Sequence, residues 1–394
     1  MIYFSYFSLV GIVSIFKQGR YATLFCMLVT LLVLAFSYPS GNDWIGYFQN
    51  YDCIVNNYCS NVTPKFEVGF DSFVMLFGVL GFLGYNIVIV IFNVYCLNKF
   101  SRLFENKAFI YFSFLSYMFW MVYIEAVRQS IAISLLLLAI PYLFNKKIIK
   151  YTLIIIVASL FHTTALVCLL FLIPHFSLKF SKLSLYSAIS LSLAFLIVPF
   201  VLLNALYSVL QPGSLAQQKL SFYLESEAYR PQFSAGVGTA FDFILIIIIT
   251  LTIVQIKKIS ESRELKNLNF VLPGVVLYIS FSIIIGKMMP VMTRIGWYGI
   301  PFLIILLNAN ISNSVFFDKL LTSVRIPLRK TLIYLFLISQ ISRPVLYEHS
   351  RYGIMNQVTI FQQMDYLDDK GLLIKAKEKC QVLHGMGLEY LCSI

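Results

Sequence analysis

Long apolar runs alternate with short polar segments along most of the chain. Many of these runs approach the roughly 20 residues that a helix needs to cross a bilayer. The pattern predicts an all-α integral membrane protein with about 12 transmembrane helices. The predicted spans are residues 2–16, 21–37, 84–99, 108–124, 129–145, 149–161, 163–176, 183–205, 238–256, 268–286, 292–308 and 331–346.

One apolar stretch, residues 66–83, does not fit this series. It carries Glu67 and Asp71 one helical turn apart and ends in a glycine-rich turn. If it crossed the membrane, every later loop would be inverted, so we predict a re-entrant or interfacial hairpin on the outer face. Irregular backbone is tolerated at membrane depth where it lines a protein cavity. Spans 149–161 and 163–176 are short, and one long helix is the alternative there.

The composition excludes an ordinary soluble domain. The 394 residues are 59% hydrophobic and 12% charged, whereas soluble domains average about 25% charged residues. The net charge of +12 does not indicate nucleic-acid binding, because the basic residues lie in short loops between spans and not in one patch. No charged leader followed by a small-residue cleavage site is evident, so we expect Met1 to be retained.

The basic loops predict the orientation. Loops rich in Lys and Arg face the cytoplasm, and six such loops alternate consistently when both termini lie outside. The membrane domain is then 1–346, with outer segments 38–65 and 207–237 and an outer tail 347–394 in which we expect a short amphipathic helix on the membrane surface. The six loops contain Lys17/Arg20, Lys99/Arg102/Lys107, Lys146/Lys147/Lys150, Lys179/Lys182, Lys257/Lys258/Arg263/Lys266 and Lys319/Arg325/Arg329/Lys330.

The cysteines agree with this orientation. Cys53/Cys59 lie in the first outer segment and Cys380/Cys392 in the tail, and cysteine pairs confined to the outer side suit an oxidising compartment. Their spacing allows loop-closing disulfides without fixing the pairing. No CxxC pair or histidine cluster has zinc-ligand spacing, so no metal site is predicted.

The segment 123–130 joins two apolar helices at the outer face and carries Glu125 and Arg128. Ionisable groups at membrane depth are costly and usually mark a functional site. Arg128 offers a planar fork suited to phosphate oxygens. The structural alternative is an internal ion pair of Glu125 with Arg128, or a snorkelling side chain.

Two further motifs fall at the same predicted face. His162 lies where two short helices meet, and histidine exchanges protons near neutrality; a hydrogen-bonded helix joint is the alternative. Arg294, with Lys287 nearby, could provide further phosphate contacts. The neighbouring Trp297 and Tyr298 equally suggest an interfacial anchor.

The first outer segment carries Asp43, Trp44 and Tyr47, which suit a glycan surface because aromatic faces stack on sugars and carboxylates hold hydroxyls. A solvated loop with interfacial aromatics is the alternative. Asp242 begins a span and is explained by the helix macrodipole. The chain has no P-loop, GxGxxG or GxSxG motif, which disfavours a nucleotide-fuelled enzyme or a serine hydrolase.

Taken in order, these motifs resemble a known family. They are Asp43-Trp44 with Tyr47, Phe66-Glu67-Val68-Gly69-Phe70, Glu125-Ala126-Val127-Arg128-Gln129, Leu160-Phe161-His162-Thr163-Thr164-Ala165-Leu166, and Arg294 followed by Tyr298. From about residue 37 to 306 the arrangement resembles the EpsG-like branch of bacterial O-antigen and exopolysaccharide polymerases, the Wzy type. The tail matches no motif of that family.

The resemblance implies a multi-pass glycosyltransferase of the bacterial inner membrane whose active site faces the periplasm. The growing glycan on undecaprenyl pyrophosphate is transferred onto a lipid-linked repeat unit, with no cofactor and no nucleic acid. A partner protein that regulates chain length is a further expectation. Membrane lipids are further partners. A flippase of lipid-linked oligosaccharides and an O-antigen ligase are the alternatives.

The predicted roles follow from that chemistry. Arg128, Arg294 and Lys287 bind pyrophosphate, because prepositioned cations stabilise the charge of a departing group. His162 or Glu125 accepts the proton of the acceptor hydroxyl. The glycan is expected to contact Asp43, Trp44, Tyr47, Glu67 and Asp71.

Overall fold

The chain forms a bundle of helices, together with an outer layer built from the first outer segment and the tail. The computed structural model describes residues 2–394 except 17–18, 60–64, 177, 214–216, 218–219, 222–223, 225–236, 260–261, 319–325, 388–391 and 393–394. Most of the predicted outer segment 207–237 therefore lies outside the described residues. The α-helices are α1 Ile2–Phe16, α2 Arg20–Ala35, α3 Trp44–Asn56, α4 Val68–Phe77, α5 Gly81–Ser101, α6 Lys107–Met118, α7 Val127–Phe144, α8 Ile148–Phe161, α9 Ile173–Phe176, α10 Leu178–Ile197, α11 Pro199–Val209, α12 Val237–Ile259, α13 Ser262–Leu277, α14 Thr293–Gly296, α15 Ile300–Asn308, α16 Ile326–Ser342, α17 Glu348–Met355 and α18 Asp369–Gly385.

Two π-helical stretches and several 3-10 turns continue these helices. Phe119–Glu125 extends α6 and Tyr278–Ile284 extends α13, both as π-helix. Such stretches often occur at functional sites. Here each one leads into one of the charged segments singled out by the sequence.

Six helical segments of the described chain are long and apolar enough to cross a membrane. They are Val68–Ser101, Lys107–Glu125, Val127–Phe144, Gly238–Lys258, Arg263–Lys287 and Pro290–Asn308. The predicted multi-pass, all-helical character is confirmed for the described residues, whereas the count of about 12 spans stays a prediction.

Five of the predicted basic loops meet at one end of the bundle, here called the inner end. The side chain of Asn106 donates to the carbonyl of Ser14 over 3.2 Å, which joins the first two loops. The ring of Phe144 lies 4.5 Å from that of Phe316 and 5.7 Å from that of Phe270, centroid to centroid, which joins three more. The loops that are rich in Lys and Arg therefore lie at the same end of the bundle.

After α7 the chain forms a helical hairpin with His162 at its apex. His162 is in the extended conformation (φ −155°, ψ 111°) between α8 and the 3-10 helix Thr163–Leu172. The hydroxyl of Tyr151 donates to the carbonyl of Cys168 over 2.8 Å, so the two arms lie side by side. Two short helices, not one long helix, occupy this part of the chain, and the apex lies at the end opposite the basic loops, the outer end.

The base of the same hairpin returns to the inner end. The Nε2 atom of His175 lies 2.9 Å from the carbonyl oxygen of Leu143, in the last turn of α7. The loop that follows α9 therefore begins beside the other basic loops.

Helix α4 stays at the outer end. Its N-cap residue Glu67 contacts Arg128 at the start of α7, and its C-cap Gly78 abuts Val55 of α3, where an added Cβ would lie 2.5 Å away. Gly81 then adopts φ +79°, which side chains disfavour, and breaks the helical run before α5. Although Val68–Ser101 is apolar throughout, both ends of α4 are thus at the same end of the bundle, as the charge pattern requires.

The tail covers the first outer segment. The backbone N–H of Tyr38 donates to the carbonyl of Val358 over 3.0 Å. On α18, Leu372, Ala376 and Leu383 are fully buried and pack in one cluster with the aromatic residues of α3. The buried face of the tail helix thus covers protein, and the expected position on the membrane surface stays a prediction.

The outer cysteines are paired. Cys53 is bonded to Cys59 and Cys380 to Cys392. The remaining three, Cys26, Cys96 and Cys168, are free and buried. Each disulfide closes a loop of the outer layer.

Candidate functional site

Arg128 is held at the first turn of α7, directly after the π-helical end of α6. Its guanidinium forms an ion pair with Glu67 and lies 3.9 Å from the centre of the Phe66 ring. The alternative pairing of Arg128 with Glu125 does not occur. Burial by itself raises the pKa of Glu67, but Arg128, the backbone of Thr163 and the charge of His162 outweigh it, so the pKa lies below its usual value.

Glu67 also connects Arg128 to the apex of the α8 hairpin. Its Oε1 accepts weak hydrogen bonds from the backbone N–H and the hydroxyl of Thr163, at 3.3 and 3.4 Å. The neighbouring His162 is half-buried. The two motifs that contain Arg128 and His162 are thus joined through α4.

The ring of His162 is oriented by its own loop. Its Nδ1 lies 2.6 Å from the hydroxyl of Thr164, which in turn lies 3.2 Å from the hydroxyl of Tyr298. These contacts are compatible with a proton-transferring histidine and with a hydrogen-bonded helix joint, so the role of His162 stays a prediction.

Arg294 reaches the same region from α14. Its guanidinium lies 3.3 Å from the Oδ2 atom of Asp43, and its side chain is 40% exposed. The side-chain amide of Gln129, next to Arg128, donates to the backbone carbonyl of Arg294 over 2.6 Å. Two arginines separated by a large part of the sequence are therefore brought to one place.

Glu125 is hydrogen-bonded to the first outer segment. Its buried carboxylate accepts the backbone N–H of Asn42 at 2.6 Å, that of Asp43 at 3.3 Å and the side-chain amide of Asn42 at 3.3 Å. A Cβ on Gly41 would lie 2.9 Å from the same carboxylate. Glu125 therefore anchors the turn that carries Asp43, and its assignment as a rival base stays a prediction.

Three of the residues expected to bind glycan have other partners. Trp44 and Tyr47 are each 5% exposed; Trp44 packs on Phe48 and Phe82 of the outer layer, and Tyr47 on Phe66 and Phe70. Asp71 accepts a hydrogen bond of 3.1 Å from Asn50. Trp44 and Tyr47 are largely covered by protein and stabilise the outer layer, whereas their expected contact with a glycan stays a prediction.

Lys287 lies in a separate ion-pair cluster. Its amine is 3.0 Å from the Oδ2 atom of Asp242 and 3.1 Å from the hydroxyl of Thr239. The other carboxylate oxygen of Asp242 pairs with Arg343, at the end of α16. The expected grouping of Lys287 with Arg128 and Arg294 is thus corrected. Nothing in the sequence singled out Arg343, since it lies near the end of its predicted span as a snorkelling residue would.

The outer network comprises Asp43, Glu67, Glu125, Arg128, His162 and Arg294. The second cluster comprises Asp242, Lys287 and Arg343.

The tail adds a lysine beside the outer network that the sequence did not indicate. Lys379 shares the α18 face of Leu372, Ala376 and Leu383, and its amine lies 4.8 Å from the centre of the Tyr352 ring. Burial lowers the pKa of Lys379, and the charge of Glu125 opposes that shift only in part. The helical spacing of Leu372, Ala376 and Leu383 places Lys379 on the same apolar face, and this pattern in the sequence could have singled it out.

An apolar cleft adjoins the network. It lies between α2, α3, α5 and the π-helical end of α6 and has a cavity volume of about 70 Å³. Its wall includes Leu34, Phe82, Val90 and Val127, and its polar rim includes Ser40. A small apolar group is the kind of ligand that such a wall accepts.

The fold and the site together define a class: a multi-pass membrane protein with a network of arginines, carboxylates and a histidine at the end opposite its basic loops. A model of one family, the EpsG family, matches residues 20–347. The chain therefore belongs to the EpsG family of Wzy-like polysaccharide polymerases and exopolysaccharide biosynthesis proteins. No curated protein and no solved structure matches the chain significantly.

Proposed function

We propose that this protein polymerises a polysaccharide by moving a growing glycan from undecaprenyl pyrophosphate onto a lipid-linked repeat unit. The family supports polysaccharide polymerisation in general. The observation that carries the finer proposal is the outer network, which gathers two arginines and a histidine from α7, α14 and the apex of the α8 hairpin.

The proposed reaction forms one bond and breaks one. The acceptor hydroxyl oxygen bonds to the anomeric carbon of the donor sugar, and the bond from that carbon to the pyrophosphate oxygen breaks. The hydroxyl proton passes to a base, and the electron pair leaves with undecaprenyl pyrophosphate. No nucleotide is consumed, because the donor already carries a good leaving group.

Arg128 and Arg294 are assigned to the departing pyrophosphate. Each is held by one carboxylate, Glu67 or Asp43, and remains part-exposed, at 21% and 40% of its side chain. A donor that is fixed before reaction stabilises developing charge without reorganising. The carboxylates therefore set the geometry of the two cations.

His162 is assigned as the base. It is next to Thr163, which contacts the carboxylate that holds Arg128, so a proton acceptor and a phosphate-binding cation are supported by one residue, Glu67. With Glu125 committed to the backbone of the outer turn, His162 is the stronger of the two predicted candidates.

The small apolar cleft beside α2 and α5 is assigned to the part of the donor's polyprenyl chain next to the pyrophosphate. Its wall includes Val127, the residue before Arg128, so a chain in the cleft would end close to the proposed phosphate site. The lipid and its charged head group would thus bind to adjoining surfaces.

We further propose that the outer end faces the periplasm. The basic loops at the inner end favour the cytoplasm, and the two disulfides of the outer layer suit an oxidising compartment. The localisation proposed is the bacterial inner membrane.

Purified protein and purified lipid-linked repeat units, with no other protein, test this function. We expect a ladder of longer lipid-linked glycans and release of undecaprenyl pyrophosphate, one for each bond formed. A flippase would move the repeat unit across proteoliposomes without lengthening it. A ligase would form products only after addition of a lipid A core acceptor.

A further inference from the structure

The second cluster carries positive charge in excess. Lys287 and Arg343 share one carboxylate, that of Asp242, whereas Arg128 and Arg294 in the outer network have one carboxylate each. The side chains of Lys287 and Arg343 are 21% and 28% exposed, and that of Asp242 is 3% exposed. Two accessible cations thus surround one buried anion.

This excess charge lies at the ends of two helical segments that are apolar enough to cross a membrane. Asp242 is in the second turn of α12, and Lys287 ends the candidate span Arg263–Lys287. A net charge near membrane depth is costly unless it is compensated. The cluster is therefore suited to an anionic ligand that arrives with a lipid.

An apolar stripe leads away from the cluster along α12. Phe243, Ile247 and Leu251 follow each other at intervals of four residues and are 63%, 58% and 45% exposed. Residues at this spacing lie on one helix face. A hydrocarbon chain attached to an anion in the cluster would find an apolar surface next to it.

Polymerisation by the proposed chemistry needs a second phosphate site of this kind. The acceptor reacts through its non-reducing sugar, and its own pyrophosphate remains at the other end of the repeat unit. That pyrophosphate must therefore bind away from the reaction centre. The donor pyrophosphate, in contrast, must bind at the centre itself.

We propose that Lys287 and Arg343, balanced by Asp242, bind the pyrophosphate of the acceptor lipid. This inference rests on the proposed function, since it assigns the second cluster to the second lipid-linked substrate. Arg128 and Arg294 serve the donor.

Titration of the full-length protein in detergent with farnesyl pyrophosphate, a short prenyl pyrophosphate, tests the assignment by counting sites. We expect two sites in the unmodified protein. Lys287→Gln with Arg343→Gln should weaken one of them about 10–100-fold, the effect of losing hydrogen bonds to a charged group. Arg128→Gln should weaken only the other.

Two more variants distinguish a ligand site from a structural ion pair. Lys330→Gln removes a basic residue near the opposite end of α16, and both sites should remain unchanged. Asp242→Asn removes the balancing carboxylate and should tighten binding at the second cluster, whereas a merely structural ion pair predicts no gain. Inorganic pyrophosphate and farnesol, used separately, should show that the pyrophosphate is required and that the prenyl chain increases the affinity.

A single site that disappears with Arg128→Gln would overturn the inference, as would a second site that survives the Lys287 and Arg343 changes. These results are distinguishable from failure of the proposed function. A protein with two pyrophosphate sites that does not lengthen glycans would contradict polymerisation and leave the second site intact. A protein that polymerises with one site would contradict only the inference.

Discussion

The two ends of the helix bundle carry charge in opposite ways. At the outer end, arginine and lysine are paired with carboxylates that lie far away in sequence, as in Arg128 with Glu67 and Arg294 with Asp43. Among the described residues, no ion pair occurs at the inner end, although the basic loops meet there. The hydrogen bonds of that end join loops through amides, backbone and carboxylates, as in Asn106 with Ser14.

The difference separates two uses of charge in a membrane protein. Unpaired basic residues in short loops set the orientation of the chain. Ion pairs assembled from distant elements fix particular side chains in particular places, which is what a reaction centre requires. Substitution of the outer charges should therefore change the rate of chain growth, whereas matched substitutions at the inner end should not.

The largest effect is expected at the proposed base. His162→Ala should lower the rate of chain growth by about 10²–10⁴, the usual contribution of a general base, while the donor still binds. The rate profile should also lose its limb near neutrality. Kinetic measurements across pH, together with donor binding, check this.

His175 provides the matched control. It also lies at the end of a short helix and contacts a backbone carbonyl, but at the inner end. We expect His175→Ala to polymerise at nearly the normal rate. Equal losses in the two variants would remove the distinction between the two ends.

A loss of about 10²–10³ in rate is expected for Arg128→Lys, because lysine keeps the charge but not the planar fork. Arg102→Lys makes the same change at the inner end and should have little effect. Steady-state rates of both variants, normalised to the amount of membrane-inserted protein, measure the contrast. Normal activity of Arg128→Lys would show that Arg128 serves only as a structural partner of Glu67.

Much of the difference between the two ends of the bundle could be predicted from the sequence, because it depends on hydrophobic periodicity and on the positions of charged residues. The apolar runs predicted the helices, and the basic loops predicted which ends lie together, including the outward position of α4. The motif order brought Arg128, His162 and Arg294 into one expected site. These features are local, or follow from the alternation of sides along the chain.

The pairings could not be predicted, because they depend on how the helices pack. Nothing local distinguishes Glu67, which holds Arg128, from Glu125, which holds a backbone turn. The burial of Trp44 and Tyr47 and the separation of Lys287 from Arg294 are likewise properties of packing. The docking of the tail depends on a surface that only the folded outer segment provides.

A smaller effect, about tenfold in rate, is expected for Lys379→Met if its ammonium contacts an anionic part of the substrate. The same change should raise stability, because it removes a half-buried cation. Lys377→Met, on the exposed side of α18, is the control and should change neither. Lower stability in Lys379→Met would show that the amine holds the tail in place.

The pH dependence of stability follows from the same lysine. Its pKa is lowered in the folded protein, so the unfolded chain binds more protons between the folded pKa and about 10.4, the unfolded value. Stability should therefore rise with pH in that interval. Thermal unfolding in detergent should show this rise in the unmodified protein and less of it in Lys379→Met; an identical profile in both would contradict the assignment.

The smallest effect on rate, a few-fold, is expected for Glu125→Gln. The amide keeps one acceptor for the backbone of Asn42 but loses the charge, so the free energy of unfolding should fall by about 1–3 kcal/mol. Denaturation and rate measured on one preparation test this. A rate loss as large as that of His162→Ala, without a loss of stability, would return the role of base to Glu125.

The most direct test of the central claim uses a cysteine at the apex of the α8 hairpin. Thr163 is exposed beside His162, and all native cysteines are either buried or disulfide-bonded, so Thr163→Cys introduces a distinct accessible thiol. We expect a membrane-impermeant thiol reagent to label it from the periplasmic side, to stop chain growth, and to be excluded by the lipid-linked donor. Lys147→Cys, at the inner end, should react only after the membrane is opened. Labelling of position 163 solely from the cytoplasm, or labelling that leaves chain growth intact, would contradict the account.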